Sequence, residues 1–92
     1  KEVDCGIAIC GTGIGISLAC NKVKTIRAAC VSEPVSARLT KEHNNANIIC
    51  FGARIVGVEM AKAIVDSWLE TEYSNEERQQ RRIEMISKIK NQ

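Results

Sequence analysis

The sequence predicts an α/β fold, with a parallel sheet of about three strands between helices on both of its faces. Short runs of apolar residues alternate with longer segments of helical spacing. Each run is apolar throughout, which is typical of buried parallel strands. A glycine-rich turn follows the first run and leads into a helical pattern. Because such a sheet is narrow, we expect one edge to lie against further strands, from preceding sequence or from a partner.

The first half of the chain contains two strand–helix pairs. Apolar residues predict strands over 3–10 and 26–31, and the segment from 13 to about 22 has the spacing of a helix. Ser32 is positioned to cap a second helix, with Pro34 in its first turn. We expect this helix to run through Leu39 and to end near 43–45, where the sequence is poor in helix formers.

The second half contains one strand and two helices. A third strand over 47–51 is closed by Gly52, and Gly57 precedes a strong helix. The apolar face of that helix consists of Ala61, Ile64, Val65, Trp68 and Leu69. Ser74 and Glu77 fit a capping box at the start of a densely charged last helix. That helix carries Ile83, Ile86 and Ile89. Without a repeat, a low-complexity tract or a linker, we expect one domain over 1–92.

Composition excludes several classes of function. The 92 residues carry 13 basic and 11 acidic side chains, a net charge of +2 that is too balanced to favour nucleic acid. No apolar run approaches the roughly 20 residues of a membrane-spanning helix, so we expect no membrane partner.

The five cysteines are an odd number, and no two have the C-x-x-C spacing. They lie in apolar runs predicted to be strands or a helix, where free cysteine behaves as a small apolar residue. This pattern disfavours a disulfide framework and a zinc site, and one histidine without an acidic cluster predicts no metal. Reduced thiols are typical of the cytoplasm, which is the location we expect.

The turn after the first strand is the strongest candidate site. We call residues 10–15 the amide turn. Its glycines allow backbone N–H groups to converge on one point, where an anion or an oxyanion is stabilised. The spacing matches neither a dinucleotide fingerprint nor a P-loop. Cys10 is either a buried residue at the end of a strand or a thiol of lowered pKa that acts as a general base, and the Thr12 hydroxyl lies two residues on.

Other candidates lie farther along the chain. His43 and Asn44 end the second helix, at the opposite edge of the sheet within one subunit, and are either capping and surface residues or parts of a substrate site. Arg78 and Arg82 share one helix face, where they either hold a phosphate or form part of a solvated charged surface. Arg54, at the end of the third strand, is another phosphate candidate.

These motifs resemble the B-type ribose-5-phosphate isomerases, with the galactose-6-phosphate isomerases as near relatives. The matching segments are 6–17, 21–23, 26–28, 32–34, 42–47, 51–54, 64–66 and 78–83. The resemblance implies a Rossmann-like three-layer fold and a cofactor-free aldose–ketose isomerase of the pentose phosphate pathway. It also implies a homodimer or a homotetramer whose active site is shared across the dimer interface.

The resemblance further implies a role for each candidate residue. Cys10 carries a proton between C2 and C1 of ribose 5-phosphate through a cis-enediolate, and Thr12 and His43 assist ring opening. Asn44 contacts sugar hydroxyls. The enediolate oxygen is stabilised by the amides of Gly11, Gly13, Ile14 and Gly15. The phosphate is bound by Arg54, Arg78 and Arg82. Members of this family begin with a further βαβ segment that carries an Asp-His motif, so we expect this chain to be a C-terminal portion.

Three alternatives remain at this stage. The substrate is another phosphorylated aldose, such as allose 6-phosphate or galactose 6-phosphate, or the chain is a non-catalytic module that binds sugar phosphates. The joint presence of Cys10, Thr12 and His43 argues against simple binding. A thiol redox protein needs a resolving cysteine near Cys10, and the sequence offers none nearby.

Overall fold

The computed structural model describes residues 5–90 and confirms an α/β fold with a three-stranded parallel sheet. The start of the predicted first strand, residues 3 and 4, lies outside the described residues. The elements in chain order are β1 (Gly6–Cys10), α1 (Ile14–Cys20), β2 (Ala28–Cys30), α2 (Pro34–Asn44), β3 (Ile48–Gly52), α3 (Val58–Glu70) and α4 (Glu77–Lys90).

The strand order is β1-β3-β2, so β3 lies in the centre. Its register pairs Cys10 with Gly52 on one side and Cys30 with Cys50 on the other. Helix α1 contacts all three strands, while α2 and α3 pack against each other. The ends of β1 and β3 therefore coincide at one edge of the sheet, as ligand sites of open parallel sheets require.

The main core lies on the face of the sheet opposite α1. Ile49 and Phe51 of β3 contribute to it, and Ile64 and Trp68 of α3 are completely buried there. Val31, Ala37 and Val56 complete the buried cluster. The predicted apolar face of α3 is thus confirmed for its central residues, but Leu69 is 57% exposed and lies outside the core.

Helix α1 and strand β2 are shorter than predicted, and two Asn side chains bind backbone groups between and beside them. Asn21 ends α1, where its side chain accepts a hydrogen bond from the Ala28 amide and donates one to the Ala28 carbonyl. Asn47 accepts a hydrogen bond from the Arg27 amide and donates to the Thr25 carbonyl. The Asn47 side chain therefore occupies backbone groups of the segment just before β2, and the Asn21 side chain occupies those of its first residue.

Two predicted helix caps are wrong. The N-cap of α2 is Glu33, not Ser32, because the Glu33 carboxylate accepts hydrogen bonds from the amides of Val35 and Ser36. The capping box at Ser74 does not form: the Ser74 amide donates to the Glu42 carbonyl, and Asn75 has a left-handed φ of 58°. Helix α4 consequently begins only at Glu77.

The end of α2 and the start of α3 agree with the sequence. Helix α2 ends at Asn44, followed by Asn45 in the left-handed conformation (φ 49°), and Gly57 is the N-cap of α3. Within the part of the chain that the structure describes, none of the helices has the length and apolar character needed to cross a bilayer.

Candidate functional site

The amide turn lies where β1 ends, directly beside the end of β3. The Cys10 carbonyl accepts a hydrogen bond from the Ala53 amide at 2.7 Å, and the Gly11 carbonyl accepts one from the Arg54 amide at 3.0 Å. These bonds continue the strand pairing beyond the sheet. They fix the turn to the segment that carries Arg54.

Two glycines are required for this close approach. Gly13 has a φ of 85°, and a Cβ there would lie 2.8 Å from the backbone of Phe51. A Cβ on Gly52 would collide with the backbone of Thr12. Gly15, by contrast, has open space where a Cβ would stand. The backbone of the turn is thus set by contact with β3 at Gly13 and Gly52, and not by Gly15.

The Cys10 thiol points back into the amide turn. The Gly13 amide donates a hydrogen bond to Cys10 Sγ at 3.1 Å. Backbone amides lower the pKa of Cys10, that of Ile16 most strongly and those of Gly13 and Thr12 next, against a smaller opposing effect of burial. The amides favour the thiolate because its charge accepts their hydrogen bonds. Of the two roles left open by the sequence, the surroundings favour the reactive thiol.

The Thr12 hydroxyl lies next to this thiol in the chain. Its oxygen accepts a hydrogen bond from the Ile14 amide at 3.2 Å, at the entrance to α1. This bond uses an acceptor site of the hydroxyl and leaves its hydrogen available to donate. The Thr12 side chain can therefore donate to a ligand oxygen at the turn.

A positive charge and a carboxylate also lie at this edge of the sheet. The exposed side chain of Arg54 passes over Gly11, where a Cβ would lie 3.6 Å from Arg54 Cδ. Its guanidinium is thereby close to the amide turn. Glu33, after β2, has its carboxylate engaged as the cap of α2, and hydrogen bonds from the Ser36 side chain and backbone lower its pKa. Arg54 is consequently available for an anionic ligand, whereas Glu33 is occupied.

His43 and Asn44 lie at the other edge of the sheet, as the sequence predicted for a single subunit. They end α2, just before β3 begins, whereas Cys10 stands level with the end of β3. A five-residue strand spans about 13 Å, so one subunit does not bring His43 to Cys10. His43 Nε2 lies 3.4 Å from Glu42 Oε1, and both side chains are partly exposed.

Arg78 and Arg82 both belong to α4 and are exposed. Their spacing of four residues places them on one face of the helix. Among residues 5–90, neither arginine has a carboxylate within salt-bridge distance. The ion pairs expected of an ordinary charged surface are therefore not formed there. The hydrogen bond from the Ser74 amide to the Glu42 carbonyl ties the segment before α4 to the end of α2 that carries His43.

A groove of about 510 Å³ lies between β2, α2 and α4. Asn44 and Arg27 supply polar groups to it, while Ile83 and Ile86 of α4 make its wall apolar. Lys90 closes one end by donating a hydrogen bond to the Ile26 carbonyl at 2.6 Å. The groove is separate from the amide turn, and of the predicted site residues it includes only Asn44.

Sequence reasoning missed the thiols around the amide turn. Cys30 is exposed at the end of β2, and its Sγ lies 3.8 Å from the Thr12 carbonyl oxygen. Cys50, its partner in register, is completely buried. These cysteines are far apart along the chain, and their proximity could not be predicted because the sequence does not give the register of the strands. Within residues 5–90, no group of three or more His, Cys, Asp or Glu side chains is arranged to hold a metal ion.

Comparison with known proteins gives consistent matches. The sequence model of a family described as Ribose/Galactose Isomerase matches residues 1–86. A protein of Escherichia coli K12 named ribose-5-phosphate isomerase B is 54% identical over 88 residues, which cover 96% of this chain and 58% of that protein. The galactose-6-phosphate isomerase subunit LacB of Clostridium acetobutylicum is 44% identical over 88 residues, which cover 96% of this chain and 51% of that subunit.

A solved structure is also similar to this chain. The crystal structure of Mycoplasma genitalium ribose-5-phosphate isomerase B with bound ribulose-5-phosphate is 40% identical, with a TM-score of 0.92, and the match covers 99% of this chain and 59% of that one. The chain thus spans between 51% and 59% of the length of these three relatives.

Proposed function

The chain belongs to the ribose/galactose isomerase family, and on this premise we propose that it takes part in the interconversion of ribose 5-phosphate and ribulose 5-phosphate. The family resemblance of the sequence motifs is confirmed by the family match and by the identity to the Escherichia coli relative. The choice of a pentose phosphate rests on the name of the Escherichia coli relative, whose 54% identity exceeds the 44% of the LacB subunit.

One observation carries the chemical part of the proposal: the Cys10 thiol is surrounded by backbone amides that lower its pKa. Aldose–ketose isomerisation requires a base that removes a proton from a carbon beside a carbonyl. It also requires donors that stabilise the resulting oxyanion. The amide turn offers both within a few residues, and its hydrogen-bonding geometry is fixed by contact with β3.

The proposed reaction passes through a cis-enediolate. The Cys10 thiolate removes the proton from C2 of the open-chain aldose, and negative charge develops on the carbonyl oxygen at C1. Amides of Gly11 to Gly15 stabilise that charge. The proton of the C2 hydroxyl moves to the C1 oxygen and the Cys10 thiol returns a proton to C1, so that the carbonyl forms at C2 and the ketose results. Thr12, with its free hydroxyl hydrogen, donates to a sugar oxygen during ring opening.

The remaining roles require a second copy of the chain. His43 and Asn44 lie about a strand length from Cys10 in one subunit, so we propose that they reach the amide turn of a partner in a homodimer or homotetramer. There His43 assists ring opening and Asn44 contacts sugar hydroxyls. Arg78 and Arg82, both without carboxylate partners among residues 5–90, bind the phosphate, with Arg54 contributing from the side of the turn.

A second substrate has a specific observation in its favour. The relative from Clostridium acetobutylicum is named as a galactose-6-phosphate isomerase subunit and shares 44% identity. A longer phosphorylated aldose, galactose 6-phosphate or allose 6-phosphate, is therefore the alternative substrate. It needs the same base and the same oxyanion donors.

The test is incubation of the chain with ribose 5-phosphate in D₂O, followed by NMR. We expect formation of ribulose 5-phosphate with deuterium at C1. Cys10→Ser is expected to lower the rate by about 10²- to 10⁴-fold, the range of general acid–base catalysis. Cys5→Ser is the matched control, because Cys5 precedes β1 and lies outside the amide turn. Galactose 6-phosphate and allose 6-phosphate are assayed in parallel.

A second measurement detects binding of the sugar phosphate even if turnover is too slow to observe. Ribose 5-phosphate bound at the turn should protect Cys10 from alkylation by iodoacetamide, whereas unphosphorylated ribose should not. Protection without turnover would favour the non-catalytic binding module. Absence of both protection and turnover for all three sugars would refute the proposal, as would full activity of Cys10→Ser.

A further inference from the structure

Four of the five cysteines gather on the face of the sheet that α1 covers. Partners in a parallel register point to the same side, so Cys30 and Cys50 share this face. Cys10 shares it as well, because it lies two residues after Ala8, the β1 partner of Cys50. Cys20 belongs to α1 and lies near Cys50. After burial, it is the largest cause of the raised pKa of the Cys50 thiol. The cluster surrounds Cys50.

Within this cluster, Cys30 and Cys50 have the spacing of a disulfide. They are directly paired on adjacent strands, which lie about 4.8 Å apart. Disulfides join α-carbons about 4.4–6.8 Å apart, and the separation of adjacent strands falls within that range. The α-carbon of Cys20 belongs to the helix layer, and no such register fixes its distance from Cys50.

The two thiols differ in access to solvent. Cys30 is exposed, whereas Cys50 is completely buried in the central strand. Burial is the largest cause, and the neighbouring thiols Cys20, Cys30 and Cys10 add to it; together they raise the pKa of the Cys50 thiol to about 11. Cys30 is therefore the thiol that a reagent from solution meets first, and Cys50 is the one positioned to resolve the product.

Cys30 also touches the candidate active site. Its Sγ lies 3.8 Å from the Thr12 carbonyl oxygen and would be 3.0 Å from a Cβ placed on Gly13. The Cys30 sulfur thus packs against the amide turn on the face of the sheet that α1 covers. A bond to Cys50 must turn this sulfur along the sheet, away from Thr12 and Gly13.

We propose that Cys30 and Cys50 form a reversible disulfide by exchange with a low-molecular-weight disulfide, and that closing this bond removes the Cys30 sulfur from the underside of the amide turn. The inference does not depend on the proposed isomerase activity. It assigns a modification site to a pair of cysteines that the isomerisation does not use.

The exchange proceeds in two balanced steps. The Cys30 thiolate attacks one sulfur of the reagent RS–SR, which forms Cys30–S–SR and releases RS⁻, and this takes up the proton lost by Cys30. Cys50 then loses its proton and attacks the Cys30 sulfur, which displaces the second RS⁻ as RSH. Two protein thiols are oxidised, and one reagent disulfide is reduced to two thiols.

The test uses oxidised glutathione as the reagent, followed by acid quenching, blocking of free thiols and digestion with trypsin. Cleavage separates the three candidates: Cys30 lies in peptide 28–38, Cys50 in 42–54, and Cys20 in 2–22. We expect a disulfide between 28–38 and 42–54 that dithiothreitol removes. Cys30→Ser should abolish it, and Cys20→Ser, the matched control, should retain it.

The effect on the turn is read from backbone amide NMR signals. We expect the signals of Thr12 and Gly13 to shift on oxidation and to return on reduction, with those of the distant helix α4 unchanged. The proposal is overturned if Cys50 links to 2–22 instead, if Cys30 stops at the mixed disulfide, or if neither cysteine is oxidised. It is also overturned if the Cys30–Cys50 link forms and the signals of the turn do not move.

Discussion

The edge of the sheet where the strands end and the edge where they begin are organised in different ways. At the edge where the strands end, backbone contacts assemble Cys10, the amide turn and Arg54 within one subunit. Near the other edge and on α4, His43, Asn44, Arg78 and Arg82 are polar groups that no contact brings together into a site. In the proposed reaction, the first region supplies proton transfer and the second supplies the groups that bind the sugar and the phosphate. A single subunit of the proposed enzyme therefore holds two incomplete parts of the active site.

The sharpest test of this comparison is complementation. Cys10→Ser and His43→Ala each disable one edge, and we expect each alone to be nearly inactive. If the halves meet across a two-fold interface, mixed refolding gives heterodimers with one intact site, and activity should return to about a quarter of wild type. Turnover of ribose 5-phosphate measures the recovery. Activity that stays at the mean of the two parents would show that the edges do not meet.

The rigidity of the first edge is tested by glycine substitution. Gly13→Ala places a Cβ 2.8 Å from the Phe51 backbone at a φ of 85°, so we expect a loss of about 1–3 kcal/mol in the free energy of unfolding. Gly15→Ala meets nothing within 4 Å and is expected to be neutral or slightly stabilising. Urea denaturation of the two variants gives the comparison, and equal stabilities would mean that contact with β3 does not set the turn.

Substitutions in α4 test the second edge. Arg82→Ala is expected to raise the KM for ribose 5-phosphate about tenfold, because a charge-assisted hydrogen bond to phosphate is lost. Arg81→Ala, one residue away and also exposed, is the control. An equal response of both variants would assign the arginines to general surface charge.

A smaller effect concerns pH. Because amides hold the pKa of Cys10 below its usual range, its thiolate persists at lower pH in the folded chain than in the unfolded one. Any stability gained from the thiolate is present above the unfolded pKa and is lost as the pH falls through the folded pKa. We expect Cys10 alkylation by iodoacetamide at pH 7 to be several-fold faster in the native chain than in urea. Peptide mapping identifies the modified cysteine, and a faster reaction in urea would contradict the inferred environment.

Much of the structure where the strands end could be predicted from the sequence. An apolar strand followed by glycines predicts converging amides, because both features act within neighbouring residues. The alternation of strands and helices likewise predicts the parallel sheet. The placement of Cys10 and Thr12 at the end of β1 is confirmed by the structure.

The features that the sequence could not reveal depend on competition between possible capping groups or on the register of the strands. Ser32 and Glu33 are both able to cap α2, and only the geometry decides for Glu33. Ser74 has the spacing of a capping residue, but its amide is taken by the Glu42 carbonyl. The thiol cluster arises from the pairing of Cys30 with Cys50, which no local pattern indicates. Cys10 thus has thiol neighbours in space that the sequence alone did not reveal.

Trp68 also makes the chain its own fluorescence probe. It is the only tryptophan, it is completely buried between α3 and the sheet, and the Lys41 ammonium lies 4.4 Å from its ring centroid. Its emission should be blue-shifted in the folded chain and should move to the red when the main core opens. Since the amide turn lies beyond the end of the strands and outside the main core, we expect the same signal to change little with events there. Optical spectroscopy can therefore separate loss of the fold from changes at the candidate active site in one unlabelled sample.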